Sequence, residues 1–479
     1  MIDSVAQLQN TKERQRVDIE SLSHMELRDV QSALRQRTLS PVELLQTTIE
    51  QIGAVNGQIN ALYDLRTEQA LDEAKASERR YAKGEQLSPF DGISVTIKDS
   101  VNAIGMKWHH GSAIHGAGIV ASKDSPPAAR LKKSGAIILG KSAMPDFGLS
   151  GSGVSGSHGV VRNPWGLSWN TGGSSAGAGA SLAAGIGMMS VGSDIAGSVR
   201  LPAAHCGLAA LKPTQGVIPH SPASTVRSAG PITRKAADLR AWTELLLGPD
   251  EADRYSLPLS GKVLSGQIKV GASADFGFGP DVEPAVLNCF QQVRAVLDDM
   301  VGSVVDVSKR AGFDAYLPID ESLKMKGWLE YSSADPSLRD LTPVPLFEWF
   351  REAETWTASK IAEVNSGIEK GVAFSVDLLS DVDFLLTPVM PVVNFPAEER
   401  GIDPYMPLRH TTFTSLFNQS GNPAVSICGG FDDRGLPIGM QIVGKRLDDF
   451  RLLDLATRLE AALAIFGHGK KNWPTNPVA

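Results

Sequence analysis

Hydrophobic positions along this chain recur with two periods, one helical and one strictly alternating, and the switches between them mark its elements. Ser40-Pro41-Val42-Glu43 puts serine at an N-cap, proline at the first helical position and glutamate three residues on. Leu44, Leu45, Thr48, Ile49 and Ile52 follow at helical spacing as one apolar face. Ser23-His24-Met25-Glu26 carries the same capping signature, which predicts a helix starting after Ser23. A third amphipathic helix is expected over 67–83. The pattern then alternates. Ile93-Ser94-Val95-Thr96-Ile97-Lys98 leaves a Pro-Phe-Asp-Gly turn and predicts a half-buried strand with Ser94, Thr96 and Lys98 on one face.

The same reading predicts a helix over 126–134 and a strand over 136–139. Next come a helix of small residues over 175–184, an apolar strand over 186–191 and a loop over 192–198. Apolar 208–211 continues the core. Residues 240–380 read as mainly helical, with strands near 268–270 and 304–307. Strands at 384–388, 424–427 and 438–443 and a helix at 450–464 complete an α/β pattern. Neither an internal repeat nor a low-complexity linker interrupts it. The expected organisation is one domain over 1–479, with an N-terminal helical region (20–85) packed on it and a helical insertion (240–380) shaping a pocket.

Composition narrows the function. The 479 residues are 42% apolar and 21% charged, ordinary globular values. A net charge of −7 and the absence of a dense basic cluster argue against nucleic acid; Lys132-Lys133 reads as the solvated end of a helix. No apolar run reaches membrane-spanning length, and the stretch 1–14 lacks the pattern of a secretory signal. Three cysteines, Cys206, Cys289 and Cys428, are too few and too scattered for a disulfide framework or a zinc site. The expectation is a cytoplasmic protein with no metal and no cofactor.

Candidate chemistry concentrates in 171–202, where Gly, Ala and Ser dominate. Two familiar motifs fail on context. G-A-I-I-L-G-K-S at 135–142 has the spacing of a phosphate-binding loop, but its centre, Ala-Ile-Ile-Leu, reads as a strand, which does not turn its N–H groups onto one anion. G-S-S-A-G at 173–177 fits a nucleophile elbow, but turn and loop residues precede it where a buried strand is required; His205, His220, His410 and His468 are downstream partners that any long chain supplies. A serine nucleophile needs a base. No histidine lies in the serine–glycine stretch. A buried, neutral lysine is the other option, if desolvation lowers its reference pKa of ~10.4 by several units.

G-G-S-S-A-G at 172–177, D-I-A-G-S-V-R-L-P at 194–202 and G-I-S-V-T-I-K-D at 92–99 together resemble the amidase signature family. A-A-H-C-G-L-A-A-L-K-P-T at 203–214, A-G-P-I-T-R at 229–234, L-L-T-P at 385–388 and G-L-P-I-G-M-Q-I-V-G at 435–444 extend the resemblance over nearly the whole chain. It implies a central mixed, twisted β-sheet surrounded by helices. It also implies a Ser–cisSer–Lys triad: Ser198 as nucleophile, Ser174 as the bridging serine after a cis peptide bond, and Lys98 as base. Backbone N–H groups of Ile195, Ala196, Gly197 and Ser198 then form the oxyanion hole. Asp194 and Arg200 pair to hold that loop, Ser175 adds a supporting hydrogen bond, and Gly172-Gly173 gives the first turn its freedom.

Two features depart from the family pattern. Alanine stands at 196 and 176 where glycine is commoner, so residue 196 is expected at negative φ. Ser-Ala-Met-Pro-Asp-Phe follows Lys141, which makes Met144 and Phe147 pocket candidates. Trp328, Tyr331 and Trp349 belong to an aromatic-rich stretch that reads equally as helix packing or as a pocket wall. The implied reaction is hydrolysis of a small amide or carbamate, aryl substrates and esters included, with urethanase activity in scope. The alternatives are the glutaminase subunit of a tRNA-dependent amidotransferase and an inactive binding module. No nucleic-acid or membrane partner is expected; a homodimer is an option.

Overall fold

Eleven strands form one mixed sheet in the computed structural model, which describes residues 18–259, 264–465 and 472–478. Residues 1–14 and His468 lie outside the described residues. In chain order the strands are β1 (Leu62–Tyr63), β2 (Ser94–Lys98), β3 (Ile137–Ser142), β4 (Met189–Asp194), β5 (Ala209–Lys212) and β6 (Ser228–Thr233). β7 (Val270–Ala272), β8 (Val304–Asp306), β9 (Phe384–Pro388), β10 (Ala424–Phe431) and β11 (Pro437–Gly444) follow. Across the sheet they run β1-β3-β2-β4-β6-β5-β10-β11-β9-β7-β8. β2 is parallel to both β3 and β4, whereas β4 is antiparallel to β6.

That arrangement overturns one expectation. β2 alternates in sequence, yet all five of its residues are buried, Lys98 included. A strand with parallel neighbours on both sides has helices over both faces, so its polar face meets protein instead of water. Thr96 is accommodated there by a hydrogen bond to Ser190 Oγ at 2.8 Å.

The N-terminal helices are α1 (Ile19–His24), α2 (Leu27–Arg35), α3 (Pro41–Ile59) and α4 (Thr67–Lys83). α4 spans the expected residues. α3 starts where its sequence says: Ser40 Oγ accepts from Val42 N–H, and Glu43 reaches back to Ser40 N–H at 2.8 Å. The expected start after Ser23 is wrong. Ser23 closes α1, donating to Glu20 O at 2.7 Å, while Glu26 caps α2 with Asp29 reciprocating at 3.2 Å. Asp and Glu reproduced the box one turn further on.

Small-residue packing brings the motif stretch together. α5 (Pro126–Ser134) leads into β3, and α6 (Ala176–Ala183) and α7 (Arg200–Cys206) bracket β4. All eight residues of α6 are buried. A side chain at Gly177 would stand 2.2 Å from Ala61 O, so only glycine admits that backbone approach. β4 begins three residues later than expected and runs through Gly192, Ser193 and Asp194. Gly185 and Gly187, both at positive φ, delay its start, and pairing with β6 carries it on to Asp194↔Ser228. The later helices include α8 (Ala236–Leu246), α9 (Pro284–Val301), α10 (Tyr316–Ser333), α11 (Val344–Phe350), α12 (Ala358–Leu378), α13 (Leu416–Gln419) and α14 (Asp449–Leu463). No described helix is long and apolar enough to cross a membrane. Cys206, Cys289 and Cys428 are free and buried.

Candidate active site

Lys98 and Asp194 end two adjacent parallel strands, so both leave the same edge of the sheet, the usual place for a site in an α/β fold. The Lys98 ammonium nitrogen lies 2.8 Å from Ser174 Oγ and 3.1 Å from the carbonyl of Ser193. Burial strips its water, and this desolvation lowers the amine to about 7, with the charge of Arg227 adding to the fall and those of Asp194 and Asp99 opposing it. At neutral pH a large share of Lys98 is therefore an unprotonated amine able to accept a proton.

Ser174 follows a cis peptide bond from Gly173. The turn is wedged. A side chain on Gly173 would meet Ser152 O at 2.2 Å, and one on Gly172, at φ +69°, would meet Leu201 O at 2.7 Å. Ser198 lies on the facing turn, and its carbonyl accepts from Ser175 N–H at 3.1 Å, which ties the two serine turns together. Ser174 and Ser198 are 3% and 4% exposed, so both serines are almost wholly enclosed by protein. Among the described residues Ser198 Oγ has no hydrogen-bond partner. Ser175 Oγ has none either and is fully buried, so the supporting bond expected of this residue comes from its backbone instead.

The loop after Asp194 is set by one carboxylate. Asp194 accepts from Gly197 N–H at 2.7 Å, from Val199 N–H at 3.1 Å and from the Arg200 guanidinium at 3.0 and 3.1 Å. Burial would raise its pKa; Arg200 more than reverses this and holds the carboxyl well below the usual range. Both partners are completely buried. Gly197 N–H is thereby committed inward, which removes it from the four expected oxyanion donors. The N–H groups of Ile195, Ala196 and Ser198 have no acceptor among the described residues. Gly197 sits at φ +124°, while Ala196 avoids positive φ as its methyl demands.

Two supporting residues escaped the sequence reading. Thr414 Oγ1 donates to Ala196 O at 2.6 Å, and Asn418 Nδ2 donates to Asp194 O at 2.9 Å while its oxygen accepts from Arg200. Both lie more than two hundred positions downstream, and the only pointer to them was a buried arginine in need of acceptors. His110, His115 and Glu330 also converge, their ligating atoms within 4.8 Å of one another. Glu330 Oε1 hydrogen-bonds both rings, at 2.5 and 3.1 Å. Sequence spacing could not show this triplet because Glu330 arrives on α10.

The pocket candidates divide. Gly148 is wedged between Met144 and Ser174: a side chain there would meet Met144 Cε at 2.9 Å and Ser174 Oγ at 3.3 Å. Phe147, held at φ +56°, packs in one apolar cluster with Phe350, Tyr331, Trp328 and Ile195. Trp349 points its indole N–H at Asp320, 3.2 Å away, inside the helical layer. The two motifs rejected on context stay rejected. Lys141 is buried within β3 and donates to Val101 O at 2.5 Å. The residues before 173–177, read as turn and loop, contain a short strand, Gly166–Asn170, which pairs in a separate two-stranded ribbon outside the main sheet.

Fold and site together define an α/β enzyme with a buried serine–lysine contact at the carboxyl edge of its sheet. The family description Amidase matches residues 43–313 and 363–453. An acylamidase of Rhodococcus erythropolis is 30% identical over 476 residues, covering 92% of this chain and 96% of that protein. A glutamyl-tRNA(Gln) amidotransferase subunit of Picosynechococcus sp. is 30% identical over 478 residues, covering 91% and 98%. A crystal structure of an amidase, 26% identical, superposes with a TM-score of 0.81 over 91% of this chain and 99% of that one. The chain belongs to the amidase-signature family of carbon–nitrogen hydrolases.

Proposed function

We propose that this protein hydrolyses a small amide or carbamate through an acyl-enzyme on Ser198, with Ser174 as proton relay and Lys98 as base. The observation that carries this reading is the 2.8 Å contact between Lys98 Nζ and Ser174 Oγ, both groups buried. Neutral Lys98 takes the Ser174 proton as Ser174 takes that of Ser198, and Ser198 Oγ attacks the carbonyl carbon. The oxyanion is received by the N–H groups of Ile195, Ala196 and Ser198. As the tetrahedral intermediate collapses, the proton returns through Ser174 to the leaving nitrogen. Water, deprotonated along the same relay, then releases the acid. Phe147, Tyr331 and Trp328 favour an apolar, aryl-sized group beside the scissile bond.

Mass spectrometry after treatment with a fluorophosphonate tests the nucleophile, with the adduct expected on Ser198. An adduct on Ser175 overturns the assignment. A hydrolysis panel of anilides, carbamates, primary amides and p-nitrophenyl esters, run on the purified chain alone, tests the substrate class. Turnover of glutamine that requires a partner protein is the result that favours the amidotransferase reading, which the relative in Picosynechococcus keeps in view.

A further inference from the structure

His110, His115 and Glu330 gather at the seam between the loop that follows β2 and the helical layer. Backbone contacts aim the first of them. Asp99, next after Lys98, accepts from the N–H groups on both sides of His110: from His109 at 2.9 Å and from Gly111 at 2.8 Å. The His110 carbonyl accepts from Phe147 N–H at 2.8 Å. His110 is held at φ +48°, and a side chain on Gly111 would stand 2.1 Å from Pro145 O. His115 closes a single 3₁₀ turn, Ala113–His115.

Glu330 arrives on α10. One turn before it, Gly327 lets the helix pack closely: a side chain there would meet Leu149 Cδ1 at 3.1 Å and Phe350 Cδ1 at 2.9 Å. The carboxylate then reaches both rings, with Oε1 2.5 Å from His110 Nδ1 and 3.1 Å from His115 Nε2. The Trp108 ring covers one side, 5.0 Å from the His115 ring and 6.5 Å from that of His110. The three side chains are 22%, 14% and 23% exposed, so another side is open to water.

This is a metal-ligand set. The three donor atoms lie within 4.8 Å of one another. A tetrahedral zinc ion, with bonds of ~2.0–2.1 Å, sets its donors about 3.3 Å apart, so side-chain shifts of about 1 Å or less suffice. Two imidazoles and a carboxylate, with no thiolate, suit a borderline divalent ion; calcium and magnesium take oxygen, and cuprous copper takes sulfur. The open side leaves a fourth position to water. We propose that His110, His115 and Glu330 bind one divalent transition ion of the zinc class, and that the ion clasps the loop over 109–115 to α10. The proposal needs no part of the hydrolase reading. His110 is bonded to Phe147, and α10 carries Trp328 and Tyr331, so the clasp joins the two segments that build the aromatic cluster.

Zinc and cobalt chlorides alone are the probes, added to the metal-free full chain without a polyhistidine tag. One equivalent of Co²⁺ is expected to give the intense visible bands of a low-coordinate ion, and Zn²⁺ to displace it one for one in calorimetry. Zinc is also expected to raise the thermal unfolding midpoint with its free concentration and to slow hydrogen exchange in 109–115 and in 326–333. Glu330→Gln keeps the side-chain shape and His115→Ala removes one ring. Each is expected to weaken zinc binding by about 10-fold or more, since even outer-sphere changes cost that much. Circular dichroism checks that both fold; if one does not, the other and the cobalt spectrum of the unaltered chain decide. Absence of stoichiometric Co²⁺ and Zn²⁺ binding overturns the site. Binding that survives both substitutions but is lost in His158→Ala assigns the ion to His109 and His158, whose rings lie 4.8 Å apart, and also overturns it. Binding at the site with unchanged exchange in 326–333 overturns the clasp.

Discussion

Lys98 Nζ and Ser174 Oγ meet at 2.8 Å although 76 residues separate them in the chain. The contact exists because β2 ends at Lys98 and because the Gly172-Gly173 turn delivers Ser174 to that strand end. Removing the proposed relay hydroxyl in Ser174→Ala is expected to lower kcat by about 10²–10⁴-fold, the usual span for a lost proton-transfer group. Single-turnover acylation kinetics check this, and a loss below that span argues for direct transfer from Ser198 to Lys98.

Ser198→Ala is expected to leave the fold intact, because Ser198 Oγ has no hydrogen-bond partner among the described residues and the link to Ser175 runs through its backbone carbonyl. Hydrolysis and fluorophosphonate labelling should both vanish while the circular dichroism spectrum is retained. Retained turnover places the nucleophile elsewhere.

The pH dependence follows from Lys98. With its amine at about 7, the neutral, competent form grows as pH rises, so the acid limb of kcat/KM is expected to have its midpoint near neutrality. Stability has the same sign. Between about 7 and the ordinary 10.5 the unfolded chain binds a proton at this lysine that the folded chain does not, so stability rises with pH across that window. Below it the full cost of charging Lys98 in the folded state is present. Lys98→Met should abolish activity and lower this slope by one proton's share in urea titrations from pH 7 to 10, the buried Lys141 and Lys212 keeping theirs; an unchanged slope contradicts the assignment.

Arg200 is expected to be a stability residue as much as a functional one. Arg200→Leu leaves Asp194 buried without its partner and should cost about 3–5 kcal/mol. Arg200→Lys should recover little, because a point charge cannot supply the fork that meets both carboxylate oxygens. Urea unfolding measures both, and a loss under about 1 kcal/mol for the leucine variant contradicts the argument.

Thr414→Val keeps shape but removes the donor to Ala196 O. Leaving that buried carbonyl unsatisfied is expected to cost about 1–3 kcal/mol. The oxyanion loop should loosen as well, so kcat is expected to fall further than KM changes. A variant that loses stability but keeps kcat shows that Thr414 supports the fold alone.

Local signals were legible where they act over a few residues. The capping box at Ser40, the helix over Thr67–Lys83, the strand Phe384–Pro388 and the small-residue helix Ala176–Ala183 all follow from propensity, periodicity and turn chemistry. The signal failed at Ser23, where two carboxylates one turn away made an equivalent cap, and at β4, whose last three residues look like loop until β6 pairs with them.

By itself the sequence singled out the candidates for the chemistry: two serines 24 apart and a lysine 100 upstream of the second, set in glycine, alanine and serine that let backbones close together. Only the tertiary structure decided how they are used. It buried Lys98 on a strand covered on both faces and turned Gly197 N–H inward to Asp194. It brought Thr414 and Asn418 beneath the loop and sent Trp349 into the helical layer. The division has a physical cause. Short-range propensity is written in neighbouring side chains, whereas desolvation, hydrogen-bond competition and charge coupling depend on groups that meet only when distant segments pack.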